Sequence, residues 1–131
     1  MAYDKTVDPD QFAAAMSEFV NNPLNEIVDG GMDCVREGLK VTRDEWRDNA
    51  PKRTGRYAKS ISYTTRGRSK ARPGGEVGSK ELPGLPHLLE KGHARVGGGF
   101  VPPHVHIAPA AESGFKATYD AFDKLIGGAL R

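Results

Sequence analysis

The chain has 131 residues, of which 37% are hydrophobic and 27% charged, and its formal net charge is +2. This length suits a single domain, and a charge so close to zero gives no general indication of nucleic-acid binding. The single cysteine, Cys34, excludes an internal disulfide framework and any zinc site made from several cysteines. No apolar run is long enough to predict a transmembrane helix.

Charge is distributed unevenly along the chain. Residues 52–72 contain eight basic residues and no acidic one, whereas the acidic residues lie mainly toward the two ends. Such a segment is typical of an arm that meets an acidic surface or a phosphate backbone, and equally of a solvated loop. Both interpretations stay open on composition alone.

Two helical patterns open the chain. Asp8 is a candidate N-cap for a first helix, which we expect residues 21–23 to end or kink because a proline disfavours helical backbone in the preceding residue. A second helix is predicted from about Leu24 to Asp48, ended by Ala50 and Pro51. Its apolar positions recur at steps of three and four, which predicts a core-facing stripe of Leu24, Ile27, Val28, Met32, Val35, Leu39 and Trp46.

Glycines interrupt the second helix at Gly30, Gly31 and Gly38. Each weakens a helix by about 1 kcal/mol relative to alanine, so we expect a tertiary surface to hold this one in place. Cys34 falls within the apolar pattern, and the role expected for it there is that of a small buried hydrophobic residue.

The middle of the chain predicts a turn followed by a β-hairpin. Thr54 and Gly55 are typical of a turn, and Thr54 is a candidate cap for a short helical turn. Residues 60–66 alternate and are rich in Ser, Thr and Tyr, which predicts a strand. We expect a basic loop over residues 67–75, with residues 73–75 as its turn, and a short returning strand over residues 76–79.

The last third predicts short elements and then a helix. Residues 87–90 can form one helical turn, residues 97–99 form a flexible glycine tip, and residues 105–107 are a short strand candidate. Pro109 then opens a final helix from Ala110 to Ile126, which two glycines end.

The four histidines allow two interpretations. Because residues two apart in a strand share a face, His104 and His106 can reach one ion, with His87, His93 and Glu90 as further candidate zinc ligands. The spacing matches no established zinc motif, however, and no acidic residue between His93 and Ile107 is available as a base. We favour histidines that bond to backbone groups, and we assign no metal and no cofactor.

Residues suited to catalysis do not occur in a suitable context. No serine lies in a nucleophile elbow, Cys34 lies within a helix, and no Lys-Ser or Lys-Thr pair follows the glycine run. We therefore expect a protein that is not an enzyme. Tyr57 and Tyr63 lie within the basic segment, and aromatic and basic residues together can bind single strands of nucleic acid. A zinc-binding or nucleic-acid-binding module is therefore the alternative from another functional class.

Two segments resemble one family of phage proteins. Residues 50–61 resemble a signature that follows the long first helix of the Hong Kong-type head–tail joining and tail-completion proteins of long-tailed bacteriophages. Residues 87–93 and 102–112 resemble a second signature of that family, in the same order and spacing. With the flanking helices the resemblance covers residues 24–126, leaves residues 1–22 outside, and departs from the family at Tyr57, where an aliphatic residue is usual.

The resemblance implies an α+β fold and a role in phage assembly. A small, twisted, mostly antiparallel sheet would carry a long N-terminal helix and a C-terminal helix on one face, with a long basic β-hairpin. Residues 1–131 would form one tail-completion-like domain with residues 1–22 as a helical extension. The implied protein is a tail terminator that completes the tail tube and joins tail to head, or alternatively a head-side connector or head-closure protein.

The resemblance also implies partners and a location. Relatives form hexameric rings at the neck, so the expected partners are further copies of the chain, the major tail tube protein and the head–tail connector. DNA would pass through the lumen without sequence-specific binding, and the protein would lie in the virion after assembly in the host cytoplasm, with no membrane involved. We expect an assembly interface on the hairpin and the later loop, with candidate residues Arg66, Arg68, Lys70, Arg72, Glu90, His93, Arg95 and Phe100.

Overall fold

The computed structural model describes residues 8–130 and has an α+β fold, which confirms the predicted class. Two long helices contain most of these residues, and two separate two-stranded antiparallel sheets lie between them in the chain. None of the described helices is both long enough and apolar enough to cross a membrane. The elements in chain order are α1 (Pro9–Asn49), α2 (Arg56–Ser60), β1 (Ile61–Ser69), β2 (Arg72–Ser79), α3 (Leu85–Lys91), β3 (His93–Ala94), β4 (Phe100–Val101) and α4 (Ile107–Ala129).

The prediction of two separate helices before and after Pro23 is wrong, because α1 is one helix of 41 residues that continues through this proline. A proline lacks one N–H and disturbs the helix at a cost of about 3 kcal/mol, so continuous packing elsewhere along α1 has to offset it. Pro23 also falls four residues from both Phe19 and Ile27, which places its ring on the apolar face of the helix.

Both ends of α1 lie where the sequence predicts them. The carboxylate of Asp8 accepts a hydrogen bond of 2.9 Å from the backbone N–H of Gln11, so Asp8 caps the helix as predicted. At the other end Ala50 has an extended backbone, with φ of −67° and ψ of 147°, and Pro51 follows it. The residue before a proline prefers that conformation, which explains why the helix stops there.

The basic β-hairpin is formed by β1 and β2, but its turn is not where we predicted. Ser69 pairs with Arg72, so Lys70 and Ala71 make the turn, and residues 73–75 belong to β2. The register shifts by one residue between Gly67 and Ser69, which is a β-bulge. Pro73 is tolerated in the strand because a two-stranded sheet has only edge strands and the bulge lies opposite.

The strand predicted over residues 105–107 is also wrong, because α4 already begins at Ile107. Pro109 lies within the first turn of α4, where a helix has no partner for its missing N–H in any case. The helix continues past Gly127 and Gly128 to Ala129, so the glycines do not end it. The helix starts early because the carboxylate of Glu90, on α3, accepts hydrogen bonds from its first N–H groups.

The core lies where the end of α1 meets α2, β1 and the start of α4. Its buried members are Trp46, Ala50, Tyr57, Ala58, Ile61 and Ala110. Partly buried side chains from β2 and α3, such as Val77 and Leu89, pack against it. Cys34 is buried as predicted, and burial raises the pKa of its thiol.

Two glycines allow α1 and α4 to approach closely. A Cβ atom at Gly38 would overlap the hydroxyl of Thr118 and lie 2.7 Å from the carbonyl oxygen of Gly114. Likewise, a Cβ atom at Gly114 would overlap the hydroxyl of Thr42 and lie 2.9 Å from the carbonyl oxygen of Gly38. The glycine that weakens α1 locally is therefore required by its packing against α4.

The predicted core stripe of α1 is only partly buried. Trp46 at its C-terminal end is 5% exposed, whereas Leu24 is 51% exposed. On α4, Phe115 and Tyr119 also face outward, with exposures of 64% and 67%. Helical spacing identified these apolar faces, but residues 8–130 do not supply a partner for all of them.

Candidate assembly site

The carboxylate of Glu90 organises the loop that leads into α4. Its Oε1 atom accepts hydrogen bonds from the backbone N–H groups of His106 (2.8 Å) and Ile107 (3.0 Å). Its Oε2 atom accepts one from the N–H of Ala108 at 2.9 Å. These donors are the unpaired N–H groups of a helix start, so Glu90 caps α4 from a distance and ties α3 to it.

The same contacts set the charge of Glu90. Burial alone raises the pKa of its carboxyl, but the three backbone N–H groups more than offset burial, so the pKa lies below its ordinary value. The side chain is therefore a carboxylate at neutral pH. A negative charge at this position is stabilised by the positive end of the α4 dipole.

A buried chain of hydrogen bonds runs beside this cap. His106 has no exposed surface, and its Nε2 lies 2.8 Å from the hydroxyl oxygen of Tyr57. The indole N–H of Trp46 donates to the same oxygen at 2.9 Å. On the other side of the ring, Nδ1 lies 2.7 Å from the carbonyl oxygen of His104. The chain of bonds links the end of α1, α2 and the start of α4.

One arrangement of protons satisfies every group in this chain. A carbonyl oxygen only accepts, so Nδ1 of His106 carries a proton and donates to His104. Because the oxygen of Tyr57 already accepts from Trp46, its own proton is directed to Nε2 of His106, which accepts. A doubly protonated imidazole would leave the proton of Tyr57 without an acceptor. Hydrogen placement of this kind is inferred from the pattern of donors and acceptors.

The histidines do not converge on one point. Both nitrogens of His106 are occupied, and Nε2 of His104 lies 3.1 Å from the backbone oxygen of Asn49. His87 lies on α3 and His93 on β3. Within residues 8–130, no three side chains of His, Cys, Asp or Glu lie close enough together to hold a metal ion. The two histidines that share the segment before α4 bond to backbone and tyrosine.

The loop between β3 and β4 is exposed at its tip. Its tip is closed by hydrogen bonds from the N–H of Arg95 to the oxygen of Gly99 (2.9 Å) and from the N–H of Gly98 to the oxygen of Arg95 (3.3 Å). Residues 97–99 all have positive φ angles, between 88° and 112°, which only glycine adopts readily. Val96 and Phe100 are exposed on this tip, so it presents apolar surface to solvent.

The basic hairpin packs along α1, where Met32 lies against Gly67 and Leu39 against Gly75, but the ion pairs of its charged side chains are weak. Arg66 forms a 2.7 Å ion pair with Glu76 across the two strands, and Lys70 lies 3.4 Å from Asp29 of α1. All four side chains are more than half exposed, so each pair contributes only about 0–1 kcal/mol. Arg72 is exposed as well. The hairpin therefore presents basic side chains at the surface.

The predicted interface residues fall into separate places. Four of them, Arg66, Arg68, Lys70 and Arg72, lie on the β1–β2 hairpin or its turn. Arg95 and Phe100 are exposed on the β3–β4 hairpin, whereas His93 is half-buried with its Nδ1 unpaired. Glu90 is engaged by three backbone groups, which gives it a structural role. Its part in an interface, like that of the other seven, stays a prediction.

Sequence reasoning missed the two residues that position His106. The sequence pattern places Trp46 on a core-facing stripe and Tyr57 in the basic segment, but the two side chains share one buried hydrogen bond. A signal for this existed at Tyr57, because an aromatic hydroxyl replaces the aliphatic residue usual in the resembled signature. Buried tyrosine and tryptophan generally find hydrogen-bond partners.

Residues 10–92 match the sequence model of a protein family described as "Bacteriophage HK97-gp10, putative tail-component". The match covers more than half of the chain and runs from α1 to the end of α3. It includes residues 10–22, which lay outside the resemblance described above, and stops before the segment over residues 102–112. No curated protein and no solved structure matches the chain.

Proposed function

Because the chain belongs to the HK97-gp10-like family of bacteriophage proteins, we propose that it completes the tail tube of a long-tailed phage and joins the tail to the head. The family predicted from the two signatures is confirmed by the match, and with it the assignment to a phage tail-component family. The narrower role as a tail terminator is our proposal. It involves no catalytic step.

The family match over residues 10–92 carries this proposal, because it includes the whole basic hairpin. The arrangement of surfaces supports it. α1 and α4 pack closely against each other, and the β1–β2 and β3–β4 hairpins present exposed basic and apolar side chains. A subunit of a ring needs two different patches for its two neighbours, and two separate hairpins with exposed side chains suit that purpose.

The partners in the proposal are those of a protein at the neck of the virion. Copies of the chain would form a ring, of six subunits by resemblance, between the major tail tube protein and the head–tail connector. DNA would pass through its lumen without sequence-specific contacts. In this arrangement stability comes partly from assembly, since binding of neighbours stabilises the folded subunit.

Deletion of the gene from its phage or prophage, followed by electron microscopy of lysates, tests the proposal. We expect tubes of uncontrolled length and tail-less filled heads, both corrected by the wild-type gene. We expect Arg66→Glu with Arg72→Glu to fail in complementation, while the matched control Lys40→Glu with Lys124→Glu, at exposed helical positions, succeeds. Tails of normal length with leaking heads would favour the head-side connector, and normal infectious particles would refute both roles.

A further inference from the structure

The N-terminal half of α1 carries an apolar stripe that no other part of the described chain covers. Phe12, Met16 and Phe19 follow one another at steps of four and three, and they are 59%, 46% and 75% exposed. In the C-terminal half of α1, the continuation of this face packs against α4 around Gly31 and Gly38. α4 ends at Ala129, near Pro23 and Ile27, so the stripe before them lies bare.

The charged residues in this half of α1 are all acidic. Residues 8–35 contain six acidic residues and no basic one. At about 100° per residue, Asp8, Glu18, Glu26 and Asp29 fall on the same flank of the apolar stripe. The segment thus combines an apolar strip with a negative edge, which disfavours pairing of the segment with itself because like charges would meet.

A surface that complements this stripe lies beside the C-terminal half of α1. A groove of about 440 Å³ runs between α1, β2 and α4, lined by apolar side chains that include Leu39, Val77 and Phe115. Gly75 lines this groove and also a shallow recess formed with Arg66 and Arg72. The lining of the groove also includes Glu76, which pairs with Arg66, so Arg66, Arg72 and Glu76 together give this edge of the apolar groove a net charge of +1. The sign is opposite to that of the acidic stripe.

A chain cannot place its own stripe in its own groove. The tip of the hairpin meets α1 at Asp29, where Lys70 lies 3.4 Å away. Phe12 lies 17 positions earlier in the same straight element, about 26 Å further along at 1.5 Å per residue. The segment over residues 9–20 thus extends away from the body that carries the groove.

We infer that the N-terminal half of α1 docks into the groove of a second copy of this chain. Phe12, Met16 and Phe19 would occupy the apolar channel, and the acidic flank would face Arg66 and Arg72. The two patches differ, so the contact is heterologous, and in a pair each copy keeps one free patch with which it can bind a further copy. A tail protein of another kind would need its own basic groove, whereas this chain already possesses both complementary surfaces.

The inference names the contact on which the proposed ring would depend, and a charge exchange tests it on the purified chain. Variant A carries Glu18→Lys and Glu26→Lys, which places two lysines opposite Arg66 and Arg72 and, with Asp8 and Asp29 unchanged, brings the four charges of the flank to zero. Variant B carries Arg66→Glu and Arg72→Glu, so both of its patches are acidic. We expect wild-type chains to associate at low salt and to associate more weakly as salt is raised, because salt screens the charged part of the contact.

Each variant alone should bind itself at least about tenfold more weakly than wild type, as expected when like charges face each other across an interface. An equimolar mixture of A and B restores opposite charges at every contact, so it should recover association to within about threefold of wild type. Recovery cannot come from misfolded protein. The matched control with Lys40→Glu and Lys124→Glu should associate as wild type does.

Sedimentation velocity across concentration and salt provides the measurement. A wild-type chain that remains monomeric throughout, variants that associate like wild type, or a mixture that fails to recover would each overturn the inference. So would undiminished association of Phe12→Ser with Phe19→Ser, because the apolar contact would then be dispensable. The assay needs no tails, so its failure leaves the deletion experiment, and the proposed function, to be decided separately.

Discussion

Replacing Glu90 by glutamine removes the charge and one acceptor oxygen from the start of α4. The remaining oxygen can still accept from two N–H groups, but the amide NH₂ would face the N–H of Ala108, where two donors meet. Hydrogen bonds to charged groups contribute about 1.5–3 kcal/mol, so we expect Glu90→Gln to lower the free energy of unfolding by about 1–2 kcal/mol. Glu90→Ala loses all three bonds and should cost about 2–4 kcal/mol.

The dependence on pH separates this cap from ordinary packing. The pKa of Glu90 is lower in the folded chain than in the unfolded chain, where it is about 4.3. Its contribution to stability is therefore complete above the unfolded-state value and disappears as pH falls through the folded-state value. We expect the wild-type free energy of unfolding to decrease on acidification in that range, and the decrease to be smaller in Glu90→Gln.

Urea denaturation followed by circular dichroism, from pH 7 down to pH 3, measures both effects. Glu112→Gln is the matched control, because Glu112 is exposed on the same helix, and it should change stability by less than about 0.5 kcal/mol. If Glu90→Gln unfolded at the wild-type urea concentration and kept the wild-type response to pH, the cap would not stabilise α4 and the reasoning would be refuted.

The other contacts lead to further expectations from the same denaturation assay. Gly38→Ala or Gly114→Ala should destabilise the chain by about 1–3 kcal/mol through overlap of α1 with α4, whereas Gly127→Ala, with open space around it, should stabilise the chain by about 0.5–1 kcal/mol. Equal effects at the three sites would contradict the close contact. Tyr57→Phe leaves Nε2 of His106 without a buried partner and should cost about 1–3 kcal/mol, and an unchanged stability would show that the bond is dispensable.

Local patterns in the sequence were sufficient for most elements of the fold. The helical spacing, the Asp8 cap, the stop at Pro51 and the alternating strand all act over a few residues, and the structure has them where predicted. The predictions were wrong where a contact between residues far apart in the sequence determines the structure. The start of α4 depends on Glu90, 17 residues before Ile107, and no local pattern reveals that the carboxylate reaches those N–H groups.

The candidate site was less predictable than the fold. Periodicity identified apolar faces on both long helices, but it does not tell which parts of a face the chain itself covers. Exposure of Phe19 and Phe115 depends on where α4 ends and how β2 lies against α1. The histidines were correctly interpreted as bonding to backbone at His104 and His106, yet the partnership of His106 with Tyr57 joins residues 49 positions apart.

The two halves of α1 are stabilised by different means, and this difference connects fold to assembly. At 1.5 Å per residue, α1 with 41 residues is about 62 Å long and α4 with 23 residues about 35 Å, so a large part of α1 has no helix beside it. Isolated helices are marginal in water, and residues 8–29 contain no basic residue that could form stabilising pairs along the helix. The order of the N-terminal half thus depends on the packed half that continues it. Docking in the groove of a neighbour would supply the missing apolar contact and the missing positive charge together, so assembly and helix order in this segment would be coupled.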